Sequence, residues 1–418
     1  MRLGRGLNWF SDIRFRSEEA MIEKVRIQNY KALRDVTLEL TPIHVLIGPN
    51  DSGKTSILEA VAALCRSADH ELRQAFVGAW EGTSLVWNRK PDLNVTLTAT
   101  AADLEGAFEY SITIAFWPTG RNATVEHEGF RAKGASEEFD FTSGRRSLVS
   151  SVLLSATHPP ALPPGEHRLF AERLFKVLAG VHYYRWIPSH LALPVAPDSK
   201  RRFRMEASGF GLALCLDDIL GSDRRRFNAL EERFKIIFPQ ICSIKLIAEP
   251  AYSAPTDDPE QVLQFNRAEG KGIYFELADG GHLVSASQVS DGMLLVLAYL
   301  TVLNLPQPPR VLLVEEPENG IHPKRLQDVL SILRDLVGEQ SQCQVILTTH
   351  SPYVVDLFQP EEVTLCQKTA DGSIAVRRLS ESQAVREQLD VFTLGEIWTA
   401  EGDEGLVRGA ANLPDATR

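Results

Sequence analysis

One octapeptide constrains this chain more than any other stretch: Gly48-Pro49-Asn50-Asp51-Ser52-Gly53-Lys54-Thr55. It fits the pattern GxxxxGK[ST], and its flanks are the ones that pattern requires. The preceding run Ile43-His44-Val45-Leu46-Ile47 is almost continuously apolar, as expected of a strand buried on both faces of a sheet. Thr55 to Leu64 then reads as a helix. A strand that enters a glycine-rich turn and leaves as a helix aims backbone N–H groups and the positive end of a helix dipole at an anion. The expected class is therefore α/β, a P-loop nucleotide-binding fold with its ligand crevice at the carboxyl tips of the strands.

Within this cradle, Gly48, Asn50, Ser52, Gly53, Lys54, Thr55 and Ser56 are the candidate nucleotide-binding residues. Lys54 is placed to neutralise β/γ-phosphates and Thr55 to offer its hydroxyl to Mg²⁺. Asp51 reads as a helix cap. A second buried run, Val311 to Val314, ends in Glu315-Glu316-Pro317-Glu318. Adjacent carboxylates at such a tip suit two roles, so Glu315 is assigned to the metal and Glu316 to the base that polarises the attacking water. A third run, Val345-Ile346-Leu347, leads to Thr348-Thr349-His350-Ser351. The imidazole of His350 is expected to hydrogen-bond the γ-phosphate and so distinguish ATP from ADP.

The rest of the chain divides by pattern. Alternation over 22–28, 36–40, 94–100 and 110–116 predicts half-buried strands, and 120–165 carries loop composition. Helical spacing marks 166–180 and 225–238, a linker or long loop falls over Glu249 to Glu260, and Met293 to Leu303 reads as a buried helix. The expected boundaries are an N-terminal extension at 1–20, a first lobe at 21–150, a mostly helical insertion at 151–265, a second lobe at 266–360 and a C-terminal extension at 361–418. In that extension, 363–367 and 374–378 read as strands and 381–389 as a helix. Glu396 and Trp398 in the tail would either anchor a partner or dock on the chain's own core.

Taken in order, Ile27-Gln28-Asn29-Tyr30-Lys31, Gly48 to Ser56, Ser290-Asp291-Gly292 opening a helix, Glu315 to Pro323 and Thr349-His350-Ser351 resemble the ABC-type AAA ATPases of prokaryotes. That family is related to the ATPase part of overcoming-lysogenization-defect nucleases and to RecF and structural-maintenance-of-chromosomes heads. The resemblance implies a β-rich first lobe, a largely helical middle region and a RecA-like second part. It also implies a homodimer with ATP and Mg²⁺ at the interface, in which Ser290 and Gly292 of one subunit meet the γ-phosphate on the other. Asn319 to His322 would then form the D-loop. Two departures are visible: the metal position holds Glu rather than Asp, and no Q-loop glutamine stands out.

The leading expectation is an ATP-hydrolysing dimer switch that drives an effector protein or a nucleic-acid process, with anti-phage defence or DNA repair as settings. The rival is an ATP-gated nuclease, or a nuclease subunit whose Toprim or other effector is supplied in trans. The stretch after His350 is short for a Toprim unit and lacks DxD. A transporter subunit would expect LSGGQ-like wording. Five cysteines without CxxC spacing fit a reducing cytoplasm, and no apolar run has the length of a membrane span. A net charge of −11 gives no global attraction to nucleic acid. The clusters Lys200-Arg201-Arg202-Phe203-Arg204 and Arg224-Arg225-Arg226 would support only nonspecific phosphate contacts with DNA or RNA.

Overall fold

The computed structural model describes residues 21–103, 106–132, 139–140, 151, 166–198, 202–253, 264–338 and 343–407. The extension expected at 1–20, Lys200 and Arg201, and residues 254–260 of the expected linker lie outside the described residues. So does much of the loop stretch within 120–165.

The first strands are β1 (Met21–Tyr30), β2 (Leu33–Glu39) and β3 (Ile43–Ile47), followed by helix α1 (Lys54–Arg66). Then come β4 (Val95–Asp103), β5 (Gly106–Phe116), β6 (Ala123–Ala132) and the short β7 (Phe139–Asp140). These build an antiparallel sheet in the order β2-β1-β4-β5-β6-β7, while β3 leaves it for another sheet. The middle of the chain supplies α2 (Glu166–Leu178), β8 (Val181–Tyr184), α3 (Leu212–Ser222) and α4 (Arg224–Ile237). It continues as a long antiparallel ribbon, β9 (Ile241–Ser253) with β10 (Gln264–Leu277), edged by β11 (Leu283–Ser285). The middle region is thus helical in part and also carries strands that its composition did not announce.

Helix α5 (Asp291–Leu303), β12 (Val311–Glu315), α6 (Pro323–Val337) and β13 (Gln344–Thr348) follow. Strands β14 (Val363–Lys368) and β15 (Ile374–Arg378) precede α7 (Gln383–Gln388) and α8 (Leu394–Val407). The central sheet runs β15-β14-β3-β13-β12-β8, parallel except for the β14–β15 hairpin at one edge.

The apolar runs are continuous because this sheet is covered on both sides. Ile43, Val45 and Ile47 of β3 point into one core cluster and Leu46 into the other; Leu312 and Val314 of β12 are divided in the same way from Val311 and Leu313. Helix α1 fills the space between the two sheets, touching β1 and β4 on one side and β8, β12 and β13 on the other. Hence it buries every residue from Ala60 to Cys65 rather than a single stripe. Helix α5 lies on the opposite face, packed by α3, α4 and α6.

Two histidines are locked neutral in this core. His44 of β3 is fully buried and bridges Thr41 Oγ1 (3.1 Å) and Thr364 Oγ1 (3.0 Å). Burial pushes its pKa down from 6.5 to about 3, and that of His182 in β8 down to about 4. Unfolding releases them to ordinary histidines that take up a proton below about pH 6.5. Their stabilising preference for the neutral form is therefore complete above that pH and is lost as the pH falls toward the folded values. At pH 5 each should remove about 2 kcal/mol relative to neutral pH. Urea titrations at pH 7.5 and 5.0 should show this loss, and His44→Gln should remove its share of the pH dependence; an equal dependence in the variant would contradict the assignment.

Candidate active site

The cradle between β3 and α1 is shaped by steric exclusion. Gly48 has φ +136°, and a Cβ there would stand 2.2 Å from the Cys366 carbonyl oxygen on the neighbouring strand β14. Gly53 has φ +83°, with the Ile374 side chain 2.7 Å from where its Cβ would be. Gly53 caps α1 without any side-chain hydrogen bond, so no capping group occupies the anion-attracting first turn. Asp51 does not cap the helix. It adopts φ 65° and pairs with Lys368 at the end of β14, which lowers its carboxyl pKa.

Lys54 is buried, and its ammonium donates to Gly48 O (2.9 Å), Pro49 O (2.8 Å) and Ser52 Oγ (3.3 Å). All three donors of the ammonium rest on the loop itself, the place a phosphate would take. Burial lowers its pKa, and the nearby Cys366, Glu316, Asp403 and Glu315 partly offset that. Thr55 donates from Oγ1 to Glu315 Oε2 at 3.3 Å, so the two residues expected at the metal meet across the gap between α1 and β12. No group of three or more His, Cys, Asp or Glu residues with metal-holding geometry occurs among the described residues. The donor set is thus one hydroxyl and one carboxylate. This fits Mg²⁺, which keeps waters and takes its remaining ligands from substrate phosphates.

Glu315 is buried at the tip of β12 and Glu316 follows in the left-handed region at φ 47°. Such backbone strain is held only where surroundings over-determine it. Here the Glu316 N–H donates to Thr348 O (3.0 Å), and Asn319 Nδ2 donates to the Glu316 carboxylate. The His350 Nε2 lies 3.5 Å from Glu316 Oε1. Glu318 ties the two loops together: its Oε1 accepts from Thr349 Oγ1 (2.6 Å) and from the His350 N–H (3.0 Å). Lys54, Thr55, Glu315, Glu316 and His350 are therefore gathered at one end of the parallel sheet.

Ser290 and Gly292 are placed differently. Ser290 is exposed at the N-terminus of α5, and its side chain makes no capping bond. Gly292 faces the Gly320 carbonyl, 3.3 Å from where a Cβ would stand, so the start of α5 rests against the Asn319–His322 loop. No hydrogen bond joins Ser290 to the cradle of its own chain among the described residues.

Tyr183 and Arg185 belong to none of the sequence motifs, and Glu318 stands in the acidic run after β12 without a role that the sequence assigns. The Tyr183 hydroxyl donates to Glu315 Oε1, and Arg185 Nε approaches Glu315 Oε2 at 3.7 Å. Burial and the Glu315 charge raise the Tyr183 pKa, which keeps its hydroxyl a donor. Strand β8, which carries Tyr183 and ends just before Arg185, is only four residues long and lies outside every motif; its one signal was the aromatic, β-branched wording Val-His-Tyr-Tyr.

Two sequence families match the chain. Residues 21–148 match the family described as "AAA ATPase domain", and residues 165–356 match "AAA domain, putative AbiEii toxin, Type IV TA system". The chain is 22% identical to the OLD nuclease of Thermus scotoductus (strain ATCC 700910 / SA-01), over 94% of this chain and 71% of that protein. The chain carries AAA ATPase domains. Its fold is similar to that of an Smc head solved in complex with the C-winged helix domain of ScpA, with a TM-score of 0.52, 16% identity and coverage of 88% of this chain and 99% of that one.

The crowding at Gly48 of this ATPase gives a direct test. Gly48→Ala should destabilise the chain by at least ~2 kcal/mol, since unfavourable φ and a backbone clash act together. Gly78→Ala, at φ +77° with nothing within 4 Å of the added Cβ, meets only the backbone penalty and should cost about 1 kcal/mol. Thermal unfolding of the two variants measures the difference; equal losses would show that the β14 carbonyl does not define the cradle.

Proposed function

We propose that this ATPase is a nucleotide-driven dimer switch: two copies sandwich ATP head to tail, hydrolysis releases them, and the movement drives an effector. The observation that carries the reading is the contrast between the two halves of the candidate site. Lys54, Thr55, Glu315, Glu316 and His350 converge within one chain, whereas Ser290 presents an exposed helix N-terminus with no partner in its own cradle. A phosphate in the cradle has one side open, and such a helix end is the matching anion donor. Two-fold apposition would supply it twice and create two equivalent sites.

In this reading, the N–H groups of the loop, Lys54 and Ser52 bind the β/γ-phosphates. Thr55 and Glu315 would hold Mg²⁺, whose contribution is to neutralise phosphate charge. Glu316 orients the attacking water and takes its proton. His350, held by Glu318 through its backbone N–H, meets the γ-phosphate. Asn319 fixes the rotamer of Glu316. No helix among the described residues is long and apolar enough to cross a membrane, and all five cysteines are free, in keeping with a cytoplasmic setting. The relative named OLD nuclease supports the second reading, an ATPase whose nuclease or other effector is supplied in trans; DNA cleavage assays with candidate partners and Mg²⁺ test it.

Lys54→Ala should abolish nucleotide binding measured by calorimetry. Glu316→Gln should retain ATP and slow its turnover by about 10²–10³-fold, because the amide keeps the shape but loses the proton acceptor. If Glu315→Gln gave that phenotype instead, the two assignments would be exchanged.

The shared site is tested by mixing. Ser290→Arg should abolish turnover while leaving ATP binding to the monomer nearly intact. Combined with Lys54→Ala chains, it should regain one working site per heterodimer, built from its own cradle and the partner copy's Ser290. No recovery at any ratio, with heterodimers demonstrated, would overturn the arrangement.

A further inference from the structure

Arg185 follows directly on β8, at the same end of the sheet as Glu315, because Tyr184 pairs with Val314 in parallel register. Its guanidinium is 3.7 Å from Glu315 Oε2, yet the two side chains differ sharply in exposure, 74% for Arg185 and 5% for Glu315. The buried carboxylate is held by three residues: by Tyr183 on one oxygen, and by Thr55 and Arg185 on the other. One helical turn along α1 from Thr55, Glu59 forms a second ion pair with Lys31 of the β1–β2 turn. Burial raises the Glu59 pKa while Lys31 opposes that rise, and Glu315 and Arg185 also act on it. The pocket wall beside the cradle thus carries two carboxylates and two cations.

A cation needed only to neutralise Glu315 would be expected to share its burial. Arg185 instead stands at the open rim with most of its surface in water and, among the described residues, Glu315 as its one ion-pair partner. Lys31, by contrast, is less exposed and held by Glu59. When a divalent cation sits between Thr55 and Glu315, the carboxylate gains a stronger counter-charge and Arg185 faces like charge. A flexible, permanently charged fork next to phosphate oxygens has an evident alternative partner.

We propose that Arg185 is a phosphate ligand in cis, paired with Glu315 in this arrangement and turning to the β/γ-phosphate oxygens once metal and nucleotide are bound. This assignment rests on reading the crevice as the ATP site. It places a cation at the tip of the strand beside β12, where the sequence shows no glutamine.

Arg185→Ala and Arg185→Lys in the full chain test it. With Mg²⁺ present, the alanine variant should lose at least tenfold in calorimetric affinity for ATP and little for AMP, which lacks the β- and γ-phosphates; lysine should restore part of the loss. Without nucleotide, removing the competing guanidinium should let Mg²⁺ raise the unfolding temperature of Arg185→Ala at lower concentrations than for the parent chain. ATP affinity within twofold of the parent would overturn the proposal. So would parallel losses for ATP and AMP with a lowered ligand-free unfolding temperature, which is what a merely structural role predicts. Lys54→Ala separates the two levels: if it also keeps full ATP affinity, the crevice reading fails, whereas loss in Lys54→Ala alone rejects only the role of Arg185.

Discussion

Everything at the nucleotide end of the molecule depends on how closely β14 approaches the turn after β3. The Cys366 carbonyl occupies the space a side chain at residue 48 would need, so only glycine fits there, and glycine also accepts the φ of +136° at which the chain turns. That turn sets the direction of α1, and α1 in turn fills the gap between the two sheets. Lys54 then finds its three loop acceptors, and Thr55 reaches Glu315 on β12. Local sterics on one glycine are thereby converted into the register of two sheets and a helix.

Where a segment had both faces buried, its character was plain in the sequence. Ile43–Ile47 forms a strand with the bounds its apolar run suggested, and the runs at 311–314 and 345–347 became β12 and β13 with one or two residues added. Met293 to Leu303 is the apolar body of α5, surrounded on all sides and therefore without a polar stripe. These segments share a physical cause: burial on both faces removes the ambiguity about which residues look outward.

Legibility failed where tertiary contacts rather than periodicity define the element. Strand β8 is four residues long and exists because β12 offers it a parallel edge. The β9–β10 ribbon carries mixed polar and apolar residues, so the region read as mostly helical ends in the long strand β9, whose partner β10 falls almost wholly within the expected second lobe. Within the site, the motif residues were visible because each belongs to a contiguous pattern. Tyr183 and Arg185 were not, and Glu318 was visible only as part of its acidic run without a role, since their importance comes from a carboxylate or a loop more than thirty residues away. For the segment after residue 361 the sequence left open whether the tail anchors a partner or docks on the chain's own core; its strands join the central sheet, and Leu394, Ile397 and Leu406 enter the main core.

The docking of α8 has a mechanical consequence. Gly395 sits so tightly on the turn that follows His350 that a Cβ would lie 2.4 Å from the Pro352 carbonyl, and its N–H bonds Asp356 Oδ1 at 2.6 Å. Farther along, Gln367 beside the cradle donates to the Asp403 carbonyl just past the kink at Gly402. The helix therefore spans from the histidine loop to the phosphate loop, gripped at both ends with no slack at the first. The kink at Gly402 divides the helix, so the two loops share a jointed brace: Gly395 fixes one arm at the turn after His350, and Asp403 beyond the joint holds β14 beside the cradle.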